Sequence, residues 1–223
     1  VKVAVGEVLP LALVVTISPL NVLPAIFLLF TKKPLVNALS FLVGFIAGVA
    51  AVISAFVAIA GAVDLSPGSD HSTWVGVLKL VLGVYLLGAA VRKFRNRPKT
   101  PEDSSTPEWM DGIARFVPGK SFGAGVALGA LNPKNIIVGL AAAVTVASAD
   151  LSSGQQIAAC AVYVFVAMLG VAAPILVMLV LGDRSKKILD GWKAWLGHNS
   201  ATVMSVLFLI FGVVLIGQGI GGV

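Results

Sequence analysis

The run "ALNPKNIIVGL" (130–140) sets Asn132, Pro133, Lys134 and Asn135 inside one of the most apolar regions of the chain. Asn and Ser are preferred helix N-caps, and Pro is favoured at the first helical position because its missing N–H needs no partner there. A helix that starts at such a point directs unpaired N–H groups and about half a positive charge at whatever lies in front of it, which suits an anion. "SPLN" (18–21) repeats the pattern of "NPKN" (132–135): a cap, a proline, any residue, an asparagine. Pro24 loosens the first interruption further. Lys134 is the one charge near the middle of an apolar block, where an ammonium costs about 3 kcal/mol on insertion scales, and none of the ten carboxylates lies at a block centre. The missing counter-ion points to the substrate. Lys134, Asn132, Asn135, Asn21 and Ser18 are then its binding residues, and Pro19, Pro24 and Pro133 the helix breaks. In the alternative, Lys134 snorkels towards an interface and serves only the fold.

The elements that must position these residues follow from composition. The 223 residues are 58% hydrophobic and 12% charged, with a mean hydropathy of +1.00, whereas a soluble domain is about 25% charged. The apolar residues run in six blocks, 8–30, 35–63, 74–91, 121–149, 154–182 and 200–219. Each is long enough to cross about 30 Å of hydrocarbon at about 1.5 Å per residue. All are expected to be helices, because an open strand edge in lipid leaves backbone groups unpaired and the blocks lack the alternation of a barrel. Ser18 lies about 15 Å into the first block and Asn132 a similar depth into the fourth. The predicted fold class is therefore an all-α polytopic membrane protein with six transmembrane helices, of which helices 1 and 4 are broken near the midplane. The first block runs on to Thr31 without a small-residue cleavage site, so it is expected to be a retained span.

Basic residues alternate between loops. Lys32 and Lys33 follow the first block; Arg92, Lys93, Arg95, Arg97, Lys99, Arg115 and Lys120 follow the third; Arg184, Lys186, Lys187 and Lys193 follow the fifth. "DLSPGSDHST" and "SADLSSGQQ" contain no Lys or Arg. The positive-inside rule makes the basic loops cytoplasmic and puts both termini outside. The net charge of +6 is thus a topology signal, with a secondary role in holding anionic headgroups, and does not imply nucleic acid.

The chain also repeats itself. Besides the two proline motifs, "GVAAVI" (48–53) matches "GVAAPI" (170–175) and "LGVYLLG" (82–88) matches "FGVVLIG" (211–217), with an offset that only grows along the chain. Three spans per half force the halves to cross in opposite senses, a 3+3 inverted repeat of the kind associated with secondary transporters whose sites lie at the midplane. The organisation is then 1–94 for the first three-helix repeat, 95–120 for a cytoplasmic linker with an interfacial helix, and 121–223 for the second repeat. Trp109, Ile113 and Phe116 share one face of "STPEWMDGIARF", and Ile188, Trp192 and Trp195 one face of "KKILDGWKAWL", as in helices anchored at the headgroup layer. The pairs Gly44/Gly48 and Gly125/Gly129 permit close helix contact, inside the protomer or in a homodimer.

Cys160, the only cysteine, excludes an intramolecular disulfide and is read as packing. His71 and His198 lie in loops, with no nucleophile and base pair, no metal cluster and no phosphate-cradling Gly-rich motif. No enzyme activity, metal or cofactor is expected.

The run "PEWMDGIARFVPGKSFGAGVALGALNPKNIIVGLAAAV" (107–144), with "ISPLNVLPAIFLL", "KLVLGVYLLGAAV" and "FGVVLIGQGIGG", closely resembles the GAP-like branch of the lysine-exporter (LysE) superfamily. That group includes the mycobacterial peptidoglycolipid-addressing and sulfolipid-addressing proteins. The likeness covers nearly the whole chain. Asn-Pro-Lys is shared with the superfamily's amino-acid exporters, but these tend to show Pro-Gly-Pro where this chain has "SPLN". The resemblance implies a multi-pass protein of a bacterial plasma membrane that exports or translocates a lipid or glycolipid towards the cell envelope. Its partners are membrane lipids and an anionic lipid or small anionic metabolite. A non-transporting scaffold of an envelope lipid complex, an amino-acid exporter and a channel are the other readings.

Overall fold

The computed structural model describes residues 2–61, 72–97, 112–149 and 151–221, and all regular structure among them is helical. The chain forms α1 (Lys2–Thr16), α2 (Pro19–Leu28), α3 (Pro34–Gly61), α4 (Ser72–Arg95), a 3-10 turn (Gly112–Arg115), α5 (Pro118–Ala130), α6 (Pro133–Ala147), α7 (Ser153–Leu181), a second 3-10 turn (Gly182–Arg184) and α8 (Ser185–Ile220). Thr106, Pro107 and Trp109 of the first expected interfacial helix, and His71, lie outside the described residues.

Both predicted interruptions are present. A proline at position i has no N–H for the carbonyl of i−4 and its ring clashes with that carbonyl. Pro19 therefore ends the helix that contains Val15, and Pro133 the helix that contains Gly129. The axes of α1 and α2 meet at 51°, and those of α5 and α6 at 55°. Pro24, expected as a further break, does not interrupt the chain: it lies inside α2, where it withholds only the donor to the Leu20 carbonyl in the first turn, and Pro174 likewise lies inside α7.

Pro34–Ala60 and Ser153–Ile220 are long and apolar enough to cross a membrane, and each bent pair adds one more if taken as a single span. These apolar helices make the chain a membrane protein with up to four candidate spans by length and composition. Ser153–Ile220 counts once there although it holds two helices, α7 and α8, which meet at Gly182, the one described residue with positive φ (53°). The second expected interfacial helix is not a separate element: "KKILDGWKAWL" forms the first turns of the 36-residue α8. No proline lies between Ser185 and the apolar block, so no backbone N–H is missing, and the helix runs on through Gly191 and Gly197 although each is about 1 kcal/mol worse than alanine. Ile188, Trp192 and Trp195 are exposed there, while Leu189 is buried and the Lys193 ammonium lies 4.4 Å from the centroid of the Phe27 ring.

The main packing runs between the two halves of the sequence: α3 against α5, α4 against α8, and α1 against α7. Glycines make it possible. A Cβ on Gly48 would lie 2.6 Å from the Val126 carbonyl oxygen, and one on Gly129 would lie 2.6 Å from that of Phe45. Added carbons on Gly44 and Gly125 would likewise collide with the backbones of Phe122 and Phe41. The contact of these glycine pairs is thus made within one chain. The register advances together in the two helices, so α3 and α5 run parallel. Gly83 and Gly212 face each other across α4 and α8, each within 3.0 Å of the other's carbonyl oxygen once a Cβ is added, and the pairing of Gly76 with Gly219 makes these helices antiparallel. Gly170 of α7 sits against Thr16 at the end of α1. At the centre lies α6, whose Ala141, Ala142, Ala143 and Val146 are almost wholly buried. Its small side chains admit neighbours on every side.

Candidate functional site

At each break the chain loses hydrogen bonds, and the side chains of the motif replace them. Pro19 deprives the Val15 carbonyl of its helical donor; Asn21, two residues on, donates to it through Nδ2 at 3.1 Å. Pro133 does the same to Gly129, and Asn135, again two residues on, donates through Nδ2 to the carbonyls of Leu128 at 2.9 Å and Gly129 at 3.4 Å. The spacing Pro-x-Asn thus has a local physical meaning: the amide restores what the proline removes.

Asn132 caps α6 as expected, its Oδ1 accepting from the Lys134 backbone N–H at 3.1 Å. Ser18 departs from expectation. It holds the extended N-cap backbone, with φ −73° and ψ 115°, but its hydroxyl makes no cap bond. Asn21 N–H finds the Ser18 carbonyl instead, at 3.0 Å, and the hydroxyl turns to Met204 Sδ of α8 at 4.0 Å.

The breaks meet. Asn132 Nδ2 donates to Asn21 Oδ1 at 3.3 Å, and the Lys134 ammonium donates to the Val14 carbonyl at 2.9 Å. Ser18 and Asn21 are fully buried, Asn135 is 3% exposed, Asn132 6% and Lys134 7%. All five predicted polar residues are thus buried, and Asn21, Asn132 and Lys134 join one break to the other, while the Ser18 hydroxyl turns to α8 and the Asn135 amide to the end of α5. Val14 is free to accept because the Ser18 N–H has shifted to Val15, at 3.4 Å. Lys134 so places its charge at the C-terminus of α1, where the dipole is negative. Reading the breaks as purely electropositive omitted this end: each interruption carries a helix C-terminus as well as an N-terminus. The ammonium has three N–H groups, and one acceptor is found for it among the described residues. In the first motif Leu20 stands where Lys134 stands in the second.

Sequence reasoning missed two neighbours. Thr16, the last residue of α1, ties α1 to α7 through a bond from its hydroxyl to the Val166 carbonyl at 2.6 Å. Tyr163 of α7 is 1% exposed and lines, with Val49, Val52, Gly129, Asn135 and Gly139, a crevice too small for water. Asn135 Oδ1 has no partner there. Gly170, matched to Gly48 in the repeat, was the only sequence signal for this part of the site. The groove between α3 and α7, about 730 Å³ and lined mainly by apolar side chains such as Ile53, Val57, Val164 and Phe165, lies on the outer side of the same two helices. No group of metal-binding residues is found among the described residues.

Residues 8–221 match the family described as "Sap, sulfolipid-1-addressing protein". No curated protein and no solved structure matches the chain. The match spans nearly the whole chain, so the chain belongs to this family, in agreement with the resemblance of its motifs.

Proposed function

We propose that this member of the sulfolipid-1-addressing protein family is a secondary-type transporter that moves an anionic lipid, glycolipid or small anionic metabolite through the polar cluster where the two broken helices meet. The observation that carries the reading is Lys134: a buried ammonium with no carboxylate beside it among the described residues, held by a backbone carbonyl that an anion can replace. A buried charge is costly unless paired, so the arrangement favours a state in which a ligand supplies the partner. Asn132 and Asn135 are the accessory ligands, with the α6 N-terminus behind them. The groove between α3 and α7 offers an apolar route to the same helices.

The reading includes six spans in two inverted three-helix repeats, in a bacterial plasma membrane, with both termini outside. Support comes from the parallel run of α3 with α5, the antiparallel run of α4 with α8, and the reciprocal placement of the matched glycines Gly83 and Gly212. No chemical transformation is assigned to the chain.

One observation favours a second reading, a non-transporting scaffold of an envelope lipid complex: the amide donors that the site offers are engaged by carbonyls of the breaks themselves. Reconstitution separates the two. Purified protein in liposomes moves a labelled anionic lipid or small anion by itself only as a transporter, and Lys134→Ala is expected to abolish that movement while the protein still folds. Asn21→Ala and Asn132→Ala are expected to weaken it less, the latter with a loss of about 1 kcal/mol of stability from the missing cap. Unchanged movement in Lys134→Ala would remove this residue from the mechanism.

A further inference from the structure

A second site lies at the other end of α3 and α5. Because these helices run parallel, their N-termini lie side by side, with Pro34 and Pro118 at the first helical positions. The N–H groups of Leu35, Val36, Gly119 and Lys120 have no carbonyl to meet within their own helices. Between the two ends is a pocket of about 390 Å³ lined by Lys32, Lys33, Asn37, Arg115, Phe116 and Val117. The three cations are exposed at its rim, and no carboxylate lines it among the described residues. Two aligned helix dipoles and three cations favour an anion strongly.

Asn37 gives an independent indication. It is 2% exposed, and its Nδ2 is used twice, donating to Thr31 Oγ1 and to the Phe116 carbonyl, both at 2.9 Å. Its Oδ1, on a residue lining the pocket, has no donor. An anionic oxygen cannot satisfy an acceptor; a hydroxyl can. Behind Asn37, one turn along α3, Phe41 opens onto a second cavity of about 200 Å³ with a wholly apolar lining that includes Leu28, Ile113, Phe116 and Leu128. Phe116 is common to both cavities.

We infer that this paired-N-terminus pocket is a binding site for a membrane lipid whose headgroup carries an anion and a neighbouring hydroxyl, the anion held by Lys32, Lys33, Arg115 and the helix ends, the hydroxyl donating to Asn37 Oδ1, and the start of an acyl chain entering the apolar cavity. The apolar chamber selects a lipid over a free phosphate ester, which would leave it empty. This site is separate from the Lys134 cluster and stands whether or not the protein transports.

The test uses the purified full chain in zwitterionic nanodiscs and fluorescent short-chain phosphatidylglycerol. Lys32→Gln/Lys33→Gln/Arg115→Gln is expected to weaken binding about tenfold or more, since charge-assisted bonds are lost. Unlabelled phosphatidylmethanol, of equal charge but without the hydroxyl, is expected to compete about fivefold less well than unlabelled phosphatidylglycerol, which probes the Asn37 contact without altering the fold. Equal competition by phosphatidylcholine, or parental affinity in the triple variant, would overturn the anion site. Equal competition by phosphatidylmethanol would overturn the hydroxyl contact, and displacement by glycerol 1-phosphate at lipid concentrations would overturn the acyl seat.

Discussion

At the level of single residues, the motif cap-Pro-x-Asn reconciles two opposed demands, a broken helix and an apolar surrounding. Proline withholds one helical donor, and the asparagine two positions later returns an N–H to the carbonyls left at the break, in both halves. Asn135→Leu should therefore cost about 1–3 kcal/mol, the usual penalty of a buried carbonyl left bare. Pro133→Ala in the same chain returns an N–H that can reach Gly129, so the double variant should unfold later than the sum of the single effects predicts. Denaturant titration of the four proteins in detergent measures that coupling, and strict additivity would show that the two positions act independently. The positions of the breaks were readable because Pro, Asn and Ser have local signatures. The Lys134 contact was not, since its acceptor is a main-chain carbonyl 120 residues away and a helix C-terminus inside lipid leaves no residue type to mark it. Ser18 holds the cap's backbone, but no residue type in the first half marks that its hydroxyl turns to Met204 of α8.

At the level of elements, close approach of backbones decides which helices meet. Gly125 and Gly123 lie on one helix, but an added carbon meets the Phe41 backbone at the first and open space at the second. Gly125→Ala should lower stability by about 1–3 kcal/mol through overpacking. Gly123→Ala should be neutral or stabilising, since glycine inside a helix is about 1 kcal/mol worse than alanine. Thermal unfolding of the two variants checks the contrast; equal losses would mean that α3 and α5 are not in contact along this face. Sequence spacing had marked both glycine pairs as contact surfaces without telling an internal interface from a dimer, because the same stripe serves either. The join of the aromatic segment to α8 was also hidden, because charge marks where a span ends and says nothing of where a helix ends.

At the level of the whole molecule, the packing of one half against the other carries a topological prediction. With Cys160 replaced by Ser, single cysteines at Lys33 and Lys187 are expected to react with an impermeant maleimide from one side of the membrane, and those at Glu7 and Gln155 from the other. Labelling of Lys33→Cys and Gln155→Cys from the same side would rule out the six-span arrangement. The alternation of loop charge already contained this expectation. The interleaving of the halves, α1 with α7 and α3 with α5, was beyond it, since periodicity reports which face is apolar and not which partner covers it.

The difference between Leu20 and Lys134 bears on direction. A machine built from two identical halves of opposite sense would look the same from either leaflet, and its inward-facing and outward-facing forms would have equal energy. On the proposed reading, the lysine present in the second motif and replaced by leucine in the first is one departure from that parity at the site itself, so the two forms would be unequal partners and travel one way need not mirror travel the other.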